Sequence, residues 1–149
     1  MFTLQRTNSN NPDFQNLVTD LDIYLAIQDG SEHSFYAQFN KTDTIKHVVV
    51  VHENNMPVGC GAIKKYADTT MEIKRMFVVP EKRNQGIASI ILKELETWAG
   101  ELNFQKCILE TGKKQTEAIK LYQRNNYTII ANYGQYAAVE NSVCFEKEL

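Results

Sequence analysis

The stretch that most constrains this chain runs from Met71 to Gly100. Met71 to Val79 (MEIKRMFVV) is a strand by composition and length, and Pro80 to Gly86 (PEKRNQG) is a charged loop. From Ile87 the apolar residues Ile87, Ile90, Ile91, Leu95 and Trp98 recur at helical spacing up to Gly100. A strand handed to a helix in this way leaves the first helical N–H groups without partners just beyond the strand's end. Those donors and the positive end of the helix dipole make an anion site. Gly86 can take a positive φ and lets a phosphate approach where a Cβ would obstruct it. Ala88 keeps the next turn small, Ser89 offers a hydroxyl, and Lys82 and Arg83 add charge. The loop is composed like a pyrophosphate cradle.

The flanking segments follow the same kind of reading. Phe2 to Arg6 alternates as a first strand. Asn11-Pro12-Asp13 starts a helix, with Asn11 as N-cap and Pro12 at the first helical position. Phe14, Leu17, Val18, Leu21 and Leu25 follow at helical spacing, and Asp29-Gly30 stops it. Ser31 to Asn40 reads as a second helix with Phe35, Tyr36 and Phe39 on one side. His47 to His52 and Pro57 to Lys64 read as antiparallel strands joined by a turn at 53–56, and a second turn over Ala67–Thr70 leads into Met71. Lys106 to Glu110 is a buried strand, Gln115 to Asn126 a helix with Ala118, Ile119 and Tyr122 inward, and Tyr127 to Ala131 and Ser142 to Lys147 the last strands. The order is β-α-α-β-β-β-α-β-α-β-β. It predicts one α+β domain over residues 1–149, with a central mixed, mostly antiparallel sheet of about seven strands flanked by four helices.

Composition removes several classes of function. The net charge is −2, with Lys and Arg spread along the chain, which argues against nucleic acid. No apolar run approaches the roughly 20 residues of a membrane span, and the N-terminus lacks a signal peptide's apolar region, so a cytoplasmic location is expected. The three cysteines, Cys60, Cys107 and Cys144, are widely spaced in apolar stretches and read as buried thiols rather than disulfides or zinc ligands. His33, His47 and His52 share no metal-binding spacing, so no metal is expected. There is no G-x-x-x-x-G-K-[ST], and Gly59-Cys60-Gly61 is a bare G-x-G inside a strand, so neither a P-loop nor a Rossmann fingerprint is present.

MFVVPEKRNQGIAS resembles the acetyl-CoA-binding segment of the GNAT superfamily of N-acetyltransferases, whose motif is R/Q-x-x-G-x-G/A after a strand ending in V-x-P. Arg83, Gly86 and Ala88 fill its three specified positions. LETGKKQTEAIKLYQRNNY (Leu109 to Tyr127) is similar to the family's later strand and helix, including its A-I-x-L-Y. The element order matches from about Phe2 to the C-terminus, the first 45 residues in arrangement only.

The resemblance implies acetyl-CoA as acyl donor and no metal. It assigns Met76, Phe77 and Val78 to the strand edge that pairs with the pantetheine arm. Asn84, Gln85, Gly86, Ile87, Ala88 and Ser89 become the pyrophosphate loop, with Arg83 before it. It further implies a bulge that splays this strand from its neighbour at Cys107–Glu110, opening a V-shaped cleft in which an N–H near Val78 faces the carbonyl oxygen. Tyr122 falls where many members have the tyrosine that protonates the departing thiolate. Gln115 replaces an Asn that often contacts the cofactor, and Asn126 replaces a Gly, a mild change since Asn tolerates a left-handed conformation. Phe35, Tyr36, Tyr133 and Tyr136 fall on segments that wall the acceptor side in the family. Homodimers are common among its members.

Acetyl transfer also needs a neutral amine, and an alkylamine with a pKa near ~10.4 must lose a proton at pH 7. Glu72 and Glu110 are the candidate bases. Glu72 alternates along its strand with Lys74, Met76 and Val78, and Glu110 ends the adjacent strand. The competing reading for each is a solvated strand-end carboxylate or an ion pair with Lys74 or Arg75. For Tyr122 it is a core tyrosine with a bonded hydroxyl. The function expected is acetylation of a small-molecule primary amine by direct attack in a ternary complex. The alternatives are acetylation of a peptide N-terminus or lysine, and an acyl-CoA-binding sensor without turnover.

Overall fold

The structure is a computed structural model, described here for residues 1–30 and 45–149. Strand β1 (Phe2–Thr7) leads into helix α1 (Pro12–Asp29). Strands β2 (His47–Glu53), β3 (Met56–Ala67) and β4 (Thr70–Val78) follow as a meander, and a 3-10 turn at Pro80–Lys82 precedes helix α2 (Ile87–Glu101). Strand β5 (Lys106–Gly112), helix α3 (Thr116–Arg124), strand β6 (Thr128–Ile130), a 3-10 turn at Gly134–Tyr136 and strand β7 (Ser142–Glu148) complete the chain. The seven strands form one sheet in the order β1-β2-β3-β4-β5-β7-β6, antiparallel throughout except for the parallel pair β4–β5. Three helices lie among the described residues. The helix expected over Ser31–Asn40, with Phe35 and Tyr36, falls outside them.

Local chemistry explains the elements. Asn11 caps α1 as expected, its Oδ1 accepting from the Phe14 N–H at 3.0 Å, with Pro12 at the first helical position. Phe14, Leu17, Val18 and Leu21 then bury one stripe of α1 against Val48, Val50, Cys60, Ala62 and Phe77 on one face of the sheet. The opposite face holds the larger core. There Ile87, Ile91, Leu92 and Leu95 of α2 and Tyr122 of α3 pack on Ile63, Ile73, Leu109 and Phe145. All three cysteines are buried, as their surroundings in the sequence predict. The ends of several elements differ from expectation. β3 is longer, α3 is shorter, and β6 is only three residues because Tyr127 bonds back to the Tyr122 carbonyl instead of starting the strand.

The G-x-G of β3 serves the packing of α2. A Cβ built on Gly61 would stand 2.5 Å from Met76 Sδ and 2.8 Å from Ile91 Cγ2, so only glycine lets the helix settle here.

One irregularity shapes the cleft. Ala62 pairs with Lys74 and Cys60 with Phe77, so Arg75 and Met76 together stand opposite Gly61. This β-bulge holds Arg75 at φ 58°, in the left-handed region. The extra residue inverts the strand's alternation. Glu72 and Lys74 stay on the α1 face with Ala62, whereas Met76 and Val78 turn to the α2 face. The expectation that Glu72, Lys74, Met76 and Val78 share a face is therefore corrected. The Arg75 side chain is buried beneath α1 and paired through Nη2 with Asp22 of that helix. A buried guanidinium anchored to α1 thus fixes the kink.

Candidate active site

Strands β4 and β5 pair only over Thr70–Glu72 and Lys106–Ile108. Beyond that point they diverge, and a cavity of about 390 Å³ opens between their carboxyl-terminal halves. This volume lies within the usual range for a small-molecule site. The cleft that the resemblance implies is therefore present, with the β4 bulge at its fork.

The edge of β4 facing the gap carries unpaired backbone. Val79 N–H donates to Val58 O at 3.0 Å, toward β3. Alternate residues of a strand turn their amides to opposite edges, so Val78 directs its N–H toward the side that β5 has vacated. Met76, Phe77 and Val78 all line the cavity.

The loop after β4 reaches the same cavity. Asn84 and Gly86 both have left-handed backbones, φ 64° and 82°, which curl the chain so that α2 begins at Ile87. Among the described residues no side chain caps this helix, which leaves the first-turn N–H groups of Ile87, Ala88 and Ser89 as donors at the mouth of the cleft. An added Cβ on Gly86 would meet no protein atom within 4 Å, so within the protein its backbone angle alone explains the glycine. Asn84, Gly86, Ile87, Ala88 and Ser89 line the cavity, while Gln85 is exposed and stands outside its lining. Ser89 Oγ accepts from Asn125 Nδ2 at 3.1 Å, which leaves the Ser89 hydroxyl proton available.

Two charges expected to serve this loop are engaged elsewhere. Lys82 Nζ pairs with Glu53 at 2.5 Å. Arg83 Nε donates to Val78 O at 3.0 Å, with its guanidinium over the rings of Tyr24 and Phe77. Arg83 therefore braces the end of β4 against α1 as well as lining the cleft. Gln115 lies at the start of α3, makes no capping bond, and also faces the cavity. Asn126 has φ 71°, the conformation for which many proteins use glycine.

Glu72, Glu110 and Tyr122 converge on the cavity from β4, β5 and α3. Glu110 Oε2 accepts from Ser142 Oγ at 2.6 Å. Burial pushes the Glu110 carboxyl up to about 7, against the opposing pull of Ser142 and Lys74. Glu72 Oε2 accepts from the Tyr133 hydroxyl at 2.6 Å, and Lys74 Nζ lies 3.9 Å from Glu72 Oε1. Glu72 is thus held in a buried polar cluster rather than solvated at a strand end. Tyr122 is buried against Tyr127 and Phe145, and among the described residues its hydroxyl has no hydrogen-bond partner. Burial, with Glu110 nearby, pushes its pKa up and keeps it a donor.

Of the residues expected to wall the acceptor side, Tyr136 is buried and lines the cavity. Tyr133 does not line it, but its ring packs on Tyr66 and Tyr136 while its hydroxyl holds Glu72. The expected contributions of Phe35 and Tyr36 lie outside the described residues. Sequence reasoning missed Lys74, Asp29 and Tyr24, which also line the cavity. Lys74 was legible only as a strand residue and an ion-pair partner for Glu72 or Glu110, because the residue at which the bulge falls decides its face.

The model of the acetyltransferase (GNAT) family matches residues 10–127. An IAA acetyltransferase from Azospirillum brasilense is 31% identical over 136 residues, covering 89% of this chain and 88% of that protein. A Klebsiella pneumoniae structure provisionally called an acyl-CoA N-acyltransferase superposes with a TM-score of 0.84 at 29% identity, over 100% of this chain and 98% of its own. A GNAT family acetyltransferase from Elizabethkingia anophelis with acetyl-CoA bound shares the fold, with a TM-score of 0.73 at 20% identity, over 99% of this chain and 98% of its own.

Proposed function

The chain belongs to the acetyltransferase (GNAT) family and is an acyltransferase, and from that premise we propose that it moves the acetyl group of acetyl-CoA onto a primary amine of a small molecule. The observation that carries this reading is Glu110, a half-buried carboxyl pushed up to about 7 by desolvation, across the splayed cleft from the Met76–Val78 edge that β5 leaves unpaired. A base poised near the working pH accepts a proton efficiently without being permanently protonated.

Acetyl-CoA supplies an activated acyl carbon, and the chain's own groups do the rest. The first-turn donors of α2 at Ile87–Ser89 and the loop from Asn84 suit the pyrophosphate, and Gln115 is placed to reach the donor from α3. The Met76–Val78 edge offers backbone pairing to an extended arm, and the Val78 N–H suits the carbonyl oxygen. One such donor is commonly worth ~3 kcal/mol. Glu110 takes the amine's proton, while Glu72, bound by Tyr133, orients the incoming ammonium before that transfer. Tyr122 donates to the sulfur as it leaves. A thiol with pKa near ~8.5 is a stronger acid than a buried phenol, so Tyr122 stabilises the thiolate mainly as a hydrogen-bond donor.

Direct transfer is favoured over a cysteine relay. Burial pushes Cys60 and Cys107 up to about 12 and Cys144 up to about 11, which leaves no thiolate at neutral pH. A compact acceptor is favoured over a peptide, because Tyr133 and Tyr136 hold the β6–β7 loop against the acceptor end. The test is chromatographic measurement of CoA released from acetyl-CoA across a panel of amino acids, polyamines, arylalkylamines, aminoglycosides and short peptides. Release that depends on a small amine supports the reading. Release with peptides alone moves it to a peptide acetyltransferase, and binding of acetyl-CoA without release under any acceptor overturns it.

A further inference from the structure

The mechanism above gives no task to Lys74, a largely buried ionisable side chain of the cleft. Lys74 projects from β4 on the α1 face, the face of its cross-strand partner Ala62. Its side chain is 10% exposed, and it shares the cavity with Glu72, Glu110 and the Met76–Val78 edge. Resting on the reading just given, we propose that Lys74 is the chain's own acetyl acceptor, and that acetylation of its Nζ when no external amine is present closes the acceptor end of the cleft.

Position comes first. Lys74 and the Met76–Val78 edge line the same cavity, on either side of the bulge at Arg75. Among the described residues no other lysine has this placement. Lys82 is tied to Glu53, and Lys64 and Lys65 are exposed on the far half of β3.

The state of the amine is the second point. Burial lowers the Lys74 pKa, Glu72 and Glu110 oppose that, and Lys64 and Arg75 add to the lowering. The net direction is downward, so neutral nucleophilic amine is more available here than on an exposed lysine. The product is the third. Acetylation replaces a buried charge by a neutral amide, which costs less to hold in a desolvated site.

The step balances as in the intermolecular reaction. The Nζ lone pair forms the new bond to the acetyl carbon, and the C–S bond breaks with its electron pair left on sulfur. One Nζ proton passes to the Glu110 carboxylate and an equivalent proton from water completes CoA–SH. Acetyl-lysine and free CoA are the products.

The full chain is incubated with acetyl-CoA and no amine, then followed by intact mass and peptide mapping. Acetylation is expected at Lys74 about tenfold or more faster than at Lys64 or Lys65, because Lys74 alone of the three lines the cleft. The rate constant should not depend on protein concentration. Glu110→Gln, which retains a carbonyl for Ser142, should slow Lys74 by the same factor as amine turnover. Lys74 left unmodified, or modified no faster than the two exposed lysines, overturns the inference. Amine-dependent CoA release alongside an unmodified Lys74 overturns this inference alone. Absence of both release and acetylation overturns the transferase reading beneath it as well.

Discussion

Ser142 Oγ donates to Glu110 Oε2 at 2.6 Å from strand β7, just past the level at which β5 has parted from β4. The hydroxyl fixes one carboxyl oxygen, and the splay of the two strands exposes the carboxyl to the cleft. Position and proton affinity are thereby set by different features. β7 holds the group, and its desolvation raises its pKa.

Glu110 carries the first prediction. Its carboxyl rises from an ordinary 4.5 to about 7 on folding, so the native state favours the protonated form. Stability from this group is present below the unfolded pKa and is lost as pH rises through about 7. kcat/KM should rise over the same window as the base becomes available. Glu110→Gln should lower turnover by on the order of 10²-fold or more and flatten that rise. At pH 8 the same variant should be more stable than the parent by roughly 3 kcal/mol, as one pKa unit is 1.36 kcal/mol. Urea unfolding at pH 5 and pH 8 checks the sign, and an equal stability change at both would contradict the desolvation account.

Tyr122 separates a chemical role from a packing role. Its hydroxyl has no hydrogen-bond partner among the described residues, so Tyr122→Phe removes no internal bond and keeps the ring against Tyr127 and Phe145. Turnover should fall on the order of 10²-fold. Acetyl-CoA affinity measured by calorimetry should be nearly unchanged, and unfolding should shift by less than ~1 kcal/mol. A variant that loses its fold would instead make Tyr122 a core residue.

Gly86 tests the loop. An alanine at φ 82° is strained by about 1–2 kcal/mol yet meets no protein atom within 4 Å. Gly86→Ala should therefore change thermal stability modestly while weakening acetyl-CoA binding clearly. The comparison of the melting temperature with the acetyl-CoA Kd decides it. A Kd equal to that of the parent would remove Gly86 from the cofactor site.

Gly61 should behave in the opposite way. Its missing Cβ would fall 2.5 Å from Met76 Sδ and 2.8 Å from Ile91 Cγ2, so Gly61→Ala overpacks the seam between β3 and α2. A loss of about 1–3 kcal/mol is expected by urea unfolding. Because Met76 also borders the cleft, a rise in the KM for acetyl-CoA should accompany it. Unchanged stability would show that α2 can shift outward without cost.

Much of the cofactor side could be read from the residues alone. The change of hydrophobic period at Gly86, the Asn11-Pro12 start of α1 and the apolar spacing of α2 are local signals. Each acts within a few residues, through a backbone angle, a cap or a stripe that must be buried. The resemblance of MFVVPEKRNQGIAS and LETGKKQTEAIKLYQRNNY to a known family added the cleft and the role proposed for Tyr122. The acceptor side was less legible. Glu72 and Glu110 stood as equal candidates for the base, and Lys74 was named only as an ion-pair partner for them.

The reason is the range of the interactions concerned. Sequence determines local conformation: which residues form strands and helices, where a glycine must turn the chain, and that three widely spaced cysteines in apolar runs are core. Only the tertiary structure decided which face each β4 side chain takes. The bulge at Arg75 is a non-glycine residue in a left-handed conformation, paired with an aspartate 53 positions earlier in the chain. Only the tertiary structure gave Glu110 its perturbed carboxyl and bound Glu72 to Tyr133, since desolvation and long-range hydrogen bonds arise when distant segments exclude water together.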